Sequence, residues 1–125
     1  EARTAALVAK AVNGDAEAVP AKQALEMLTI NGAKALNLDT EIGSLEAGKS
    51  ADITALNLAG LATQPIYDPI AQLIYSCSRE QVSNVWIGGK QVLKDNHHTR
   101  IDVNSTLARA KEWGAIISGA GAPSN

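Results

Sequence analysis

The feature that most constrains this chain is what its apolar residues are made of. Of 125 residues, 46% are hydrophobic, yet there is no Phe, and only two Trp and two Tyr supply rings. Alanine takes their place, and each alanine buries little area where a ring buries about 150–250 Å². A core built this way is thin, and alanine-faced helices gain most by packing closely against another element. The composition still excludes disorder throughout, and the length suits one domain better than two.

The beginning of the chain sharpens this expectation. Residues 1–12 read as the body of a helix, with no Ser, Thr, Asp or Asn ahead of Glu1 to accept the first free backbone donors. No initiator Met and no charged-then-apolar leader stand there either. The expectation is a C-terminal piece of a larger soluble enzyme, without an active site of its own.

Three regions follow one another, an α+β order. Residues 1–38 are helical. Leu7, Val8, Ala11 and Val12 form a first stripe that Asn13-Gly14 ends, and Pro20 opens a second helix faced by Ala21, Ala24, Leu25 and Leu28. Asn31-Gly32 is expected to break it before a short helix from Ala33 to Leu36. Residues 42–93 are expected to be mainly extended. Strands are expected over residues 51–58 and 82–87, Gly88-Gly89 forms a two-residue hairpin turn, and residues 90–93 return. Between the strands, Asp68 can cap a short helix with Pro69 in its first position. From residue 102, Asp102, Asn104 and Ser105 all offer a cap to a terminal helix containing Leu107, Ala110, Trp113 and Ile117. Residues 119–125 are a small-residue tail expected to fray.

Several motifs invite a chemical reading. Gly43-Ser44-Leu45-Glu46-Ala47-Gly48-Lys49-Ser50 fits the phosphate-loop pattern G-x-x-x-x-G-K-[ST] letter for letter. That chemistry needs a strand before the loop and a helix after it. Here a polar turn precedes it, a strand-forming segment follows, and Glu46 would set a carboxylate among the phosphates. A turn leading into a strand, without nucleotide affinity, is the expectation. His97 and His98 are adjacent, so on extended chain they face opposite ways and cannot share a metal; a solvated turn is expected. Cys77, the single cysteine, reads as a small buried apolar side chain and suits a reducing cytoplasm. Trp86 and Trp113 read as packing anchors. The acidic residues show no pairing for general acid–base work. A net charge of −2 without a basic run disfavours nucleic acid, and no stretch reaches the length of a membrane span.

One combination is more specific. Ala24-Leu25-Glu26-Met27-Leu28-Thr29-Ile30-Asn31-Gly32-Ala33-Lys34-Ala35-Leu36 is followed by Ile42-Gly43-Ser44-Leu45-Glu46-Ala47-Gly48-Lys49-Ser50-Ala51-Asp52-Ile53. This resembles the C-terminal signature of the amidohydrolase superfamily, T-x-N-G-A-x-A-L before I-G-x-L-x-x-G-K-x-A-D. Glu1 to Leu7, Tyr67-Asp68-Pro69 and Val85-Trp86-Ile87-Gly88-Gly89-Lys90 extend it. The resemblance is greatest to 5′-methylthioadenosine/S-adenosylhomocysteine deaminases and triazine-type chlorohydrolases.

The resemblance implies a parent with a (β/α)8 barrel and a composite β-sandwich built from strands before and after the barrel. Residues 1–41 would then be late barrel helices, 42–101 part of the sandwich, 102–118 a terminal helix packing back on the parent, and 119–125 a flexible tail. It implies a divalent metal, zinc or iron, held by an H-x-H pair, further histidines and an aspartate, which activates water to displace an amine or chloride from a purine- or triazine-like ring. None of those positions has a counterpart here, and the aspartate would lie shortly before Glu1. The expected catalytic, cofactor and metal residues of this chain are therefore none, and its expected partner is the N-terminal part of the same enzyme. Two other readings remain: an independent scaffold domain that self-associates through its sheet edge, and a nucleotide-binding module.

Overall fold

A computed structural model describes residues 1–119. The expected tail therefore lies outside the described residues, apart from Gly119. Helix α1 (Ala2–Asn13) ends at Gly14, whose left-handed φ of 62° suits a residue without Cβ. Helix α2 (Ala21–Leu28) starts after Pro20. The expected break at Asn31-Gly32 is displaced. Thr29 interrupts the helix at φ −120° and ψ −104°, and its hydroxyl donates to the Leu25 carbonyl at 2.8 Å. Asn31 and Gly32 instead lie within helix α3 (Ile30–Ala35). A glycine suits that place because a Cβ at Gly32 would stand 3.2 Å from the Met27 carbonyl oxygen.

The extended reading of residues 42–93 holds only in part. Strand β1 (Ile53–Leu56) is shorter than expected, and between it and the next strand the chain coils. A turn of 3-10 helix (Leu61–Thr63) comes first, then helix α4 (Pro69–Ala71), which runs into a wider π turn (Gln72–Ser76), then another 3-10 turn (Arg79–Gln81). Asp68 caps α4, its Oδ1 accepting from Ile70 N at 2.8 Å and Ala71 N at 3.1 Å. Ser78 and Gln81 form a reciprocal capping box on the second 3-10 turn.

Strands β2 (Val82–Ile87), β3 (Lys90–Lys94) and β4 (His97–His98) complete an antiparallel four-stranded sheet in the order β1-β2-β3-β4. Trp86 stands opposite Ile53 on one side and Gln91 on the other. Gly88 and Gly89 turn the first hairpin at φ 53° and 74°, as two-residue turns of this hand require. Asp95 and Asn96 turn a second one at φ 47° and 65°. That second hairpin corrects the reading of His97-His98 as a turn. They pair with Lys94 and Leu93 because Asp and Asn tolerate the left-handed region.

The core lies in the helical part and is as thin as the composition implies. Ala6 (0% exposed), Ala24 (1%) and Ile74 (4%) form its centre, with Ala2, Val19, Ala21, Leu25 and Tyr75 packed around them. No large side chain is fully buried among the described residues. The stripe expected on α1 is corrected here: Leu7, Val8 and Val12 are exposed, and Ala6 faces inward. Close approach of α1 to α2 and the π turn leaves room for a methyl group, not for a leucine.

Helix α5 (Val103–Ile117) begins at Asp102, whose Oδ1 accepts from Ser105 N at 3.1 Å. It buries none of its residues. Trp113, expected as a packing anchor, is 60% exposed.

Candidate functional site

The loop at residues 43–50 is the place where the sequence most resembles a ligand site. Gly43, at φ 92°, lies directly on α3: a Cβ there would stand 2.7 Å from the Ala33 Cβ and 3.0 Å from the Ile30 Cα. The glycine serves close packing of the loop on the helix. Gly48 also takes a left-handed φ of 93°. The loop closes on itself through Ser50 N, which donates to the Glu41 carbonyl at 2.8 Å.

Lys49, the residue that would reach phosphate in a nucleotide site, is turned into the loop. Its Nζ donates to the Asp39 carbonyl at 2.5 Å and to Ser44 Oγ at 2.6 Å, and lies 3.7 Å from Glu46 Oε1. Ser44 Oγ donates to Glu46 Oε1 at 2.6 Å. That hydrogen bond, and next the Lys49 charge, hold the Glu46 carboxyl below its ordinary pKa. The chain then enters β1, with no helix after the loop. The backbone donors of a phosphate cradle and the helix dipole that supports it are thus not assembled.

Beyond the loop, Asp52 Oδ1 accepts from Gly88 N at 2.6 Å, and Gly89 N donates to the Ala51 carbonyl at 3.0 Å. The loop's exit is thereby tied to the hairpin turn, a link between distant segments that the sequence reading did not make.

The remaining candidates are separate from one another. His97 and His98 are exposed on β4, and His97 Nδ1 lies 2.7 Å from the Asp95 carbonyl. Cys77 is buried, as read from the sequence. Trp86 is half-buried in the sheet. Glu80 has its pKa lowered, first by the Ser78 hydroxyl, but it is exposed and belongs to the capping turn. Among the described residues no three His, Cys, Asp or Glu side chains come together as a metal site. No helix of the described residues is long and apolar enough to cross a membrane.

One side chain missed by the sequence reading joins distant parts of the helical layer. Arg3, in the first turn of α1, donates from Nε to the Ile74 carbonyl at 3.0 Å and from Nη2 to the Cys77 carbonyl at 2.5 Å. Residues 1–4 with Leu28, Leu73, Ile74 and Cys77 line an open cavity of about 360 Å³ beside it. No sequence signal could have paired Arg3 with carbonyls more than seventy residues away, since a carbonyl acceptor carries no residue identity.

Comparison with known proteins identifies relatives of this fold. A sequence profile described as the amidohydrolase family matches residues 1–92. The 5-methylthioadenosine/S-adenosylhomocysteine deaminase of Teredinibacter turnerae is 43% identical over 113 residues, 90% of this chain and 26% of the relative. The enzyme of the same name from Moorella thermoacetica is 41% identical over 87% of this chain and 26% of its own length. Among solved structures, an adenosine deaminase from Xanthomonas campestris with bound zinc superposes with a TM-score of 0.89 at 42% identity, covering 95% of this chain and 27% of that one. An atrazine chlorohydrolase from Arthrobacter aurescens complexed with zinc gives a TM-score of 0.79 at 25% identity, over 89% of this chain and 25% of its own. The chain thus spans about a quarter of the length of the relatives it matches. On the profile match and the shared fold, this chain belongs to the amidohydrolase family.

Proposed function

We propose that this chain is the C-terminal structural portion of a larger amidohydrolase that releases an amine from a purine-type ring, with the catalytic residues in the polypeptide outside this segment. The observation that carries the reading is 43% identity to a 5-methylthioadenosine/S-adenosylhomocysteine deaminase across 90% of this chain but only 26% of that enzyme. Deamination is favoured over dechlorination because the chlorohydrolase is the more distant match, at 25% identity.

A divalent metal in the parent, zinc by analogy with the matched structures, does not fit the residues described here. No three potential ligands converge, and adjacent His97 and His98 on β4 alternate faces of the sheet. The role of this segment is support. Residues 1–41 would back the barrel, 42–101 would contribute to a composite sandwich, and 102–118 would pack on the parent. The exposed stripe of Leu7, Val8 and Val12 and the outer edges of β1 and β4 are surfaces for the preceding polypeptide, or for a second copy. A free, buried Cys77 suits a cytoplasmic enzyme.

The test compares this chain alone with the parent enzyme, measuring ammonia release from 5′-methylthioadenosine and S-adenosylhomocysteine together with bound zinc. The parent is expected to turn over, and the chain alone to be inert and hold no stoichiometric metal. Turnover that follows the isolated chain through purification would overturn the reading, as would a parent active only on chlorinated triazines.

A further inference from the structure

The loop at residues 43–50 does not assemble a phosphate cradle, yet all four of its signature positions are engaged. It meets two distant parts of the fold. At its start, Gly43 packs so closely on α3 that a Cβ would stand 2.7 Å from the Ala33 Cβ. At its exit, Ala51 and Asp52 hold the turn of the first hairpin. Gly89 N donates to the Ala51 carbonyl at 3.0 Å, and Gly88 N donates to Asp52 Oδ1 at 2.6 Å. Helix and hairpin turn are thus joined through one short stretch of chain, which can transmit a displacement only if it is itself stiff.

Lys49 supplies that stiffness. Its side chain is only 11% exposed, so the ammonium has exchanged most of its water for protein partners. Nζ donates to the Asp39 carbonyl at 2.5 Å, ahead of the loop, and to Ser44 Oγ at 2.6 Å within it. The Glu46 carboxylate lies 3.7 Å away. Bonds from an ionised donor are stronger than neutral ones, and this donor spans the loop from one arm to the other. A backbone bond runs beside it, Ser50 N donating to the Glu41 carbonyl at 2.8 Å. Gly48, at φ 93°, lets the chain reverse between the two arms.

We propose that residues 39–52 form a clasp, closed by the Lys49 ammonium, that couples the Gly88-Gly89 hairpin turn to helix α3. Opening the clasp at Lys49 frees the turn and the helix from each other, while α1, which makes none of these contacts, is unaffected. All of the contacts lie between Ala33 and Gly89, so the coupling holds whichever reaction the parent performs.

Hydrogen exchange resolved to single amides tests the coupling in the intact protein and its Lys49→Met, Lys49→Gln, Gly43→Ala and Lys90→Met variants. Lys49→Met should quicken exchange at Ser50, Gly88 and Gly89 together, by about tenfold, the order expected for loss of a charged hydrogen bond. Lys49→Gln, which keeps a donor without the charge, should fall between, and it stands in should Lys49→Met fail to fold. Gly43→Ala, which forces the loop off α3, should quicken Gly88 and Gly89 from the other end of the clasp. Lys90→Met removes an exposed cation beside the turn and should change none of these amides. Amides of α1 should keep their wild-type rates throughout, which separates opening of the clasp from loss of the core. Quickening at Ser50 alone, with Gly88 and Gly89 unmoved, would overturn the proposal and leave Lys49 as a brace of its own loop. Equal effects of Lys49→Met and Lys90→Met would overturn it too, as would α1 amides that quicken as much as those of the turn.

Discussion

Helices α1 and α5 respond in opposite ways to the local signals in their sequences. Helix α5 has a good local start, Asp102 accepting from Ser105 N. Yet α1 carries Ala6, fully buried, and is held by Arg3 to residues more than seventy positions away, whereas α5 buries nothing. A cap lowers the cost of starting a helix, typically by about 1 kcal/mol. It says nothing about what the helix packs on. Small side chains decide that for α1, because only they allow α1, α2 and the π turn to approach so closely.

The sharpest way to break this comparison is to enlarge one alanine in each helix. Ala6→Leu forces three added carbons between α1, α2 and Ile74 and is expected to destabilise by about 1–3 kcal/mol. Ala110→Leu, on exposed α5, is expected to stay within about 0.5 kcal/mol in the isolated chain. Denaturant midpoints measure both. Equal effects in the isolated chain would show that the core is not where the buried alanines place it. In the parent, a cost for Ala110→Leu approaching that of Ala6→Leu would show α5 seated on the remaining polypeptide.

Removing caps gives a smaller effect. Asp68→Ala leaves Ile70 N and Ala71 N without their acceptor, and α4 feeds the π turn that carries core Ile74, so about 1 kcal/mol of global stability should go. Asp102→Ala should cost a similar amount locally, seen as lost helical circular dichroism from α5 with the cooperative midpoint unmoved. A midpoint that falls equally in both would mean α5 is coupled to the core after all.

What could be read from the sequence follows the same division. Elements fixed by their own neighbours were legible: Asp68-Pro69 opening α4, Gly88-Gly89 turning the first hairpin, Asn13-Gly14 ending α1, Asp102 starting α5. The family was legible because its signature, residues 24–36 and 42–53, is itself local. Features set by distant contacts were not. The spacing of Leu7, Val8, Ala11 and Val12 predicts a buried stripe on α1, while close helix approach selects Ala6. The break near Asn31-Gly32 fell instead at Thr29, since Gly32 serves the fit of α3 beside the end of α2. The second hairpin was missed because Asp95-Asn96 is a weaker turn signal than a glycine pair. The resemblance to a phosphate loop had the right letters without the strand and helix that give them meaning.

The smallest expected effect concerns that loop, where the side chains of Ser44, Glu46 and Lys49 meet. Glu46 accepts from Ser44 Oγ and faces Lys49, and both lower its pKa, the hydrogen bond more than the charge. The folded value lies below the unfolded one, so the interaction contributes fully above the unfolded pKa and is lost as pH falls through the folded pKa. Acid should therefore loosen the loop, and neutral pH should leave it intact. A carboxyl titration of Glu46 by NMR should give a midpoint below that of an unstructured glutamate. Ser44→Ala should raise that midpoint more than Lys49→Met does. Added salt should weaken only the Lys49 share, because Glu46 is exposed and charge–charge attraction at the surface is screened while a short hydroxyl bond is not. A midpoint indifferent to both substitutions would mean that the Ser44–Glu46–Lys49 contacts do not persist in solution. Lys49 would then be free to reach an anion, and the loop would have to be tested again as a binding site.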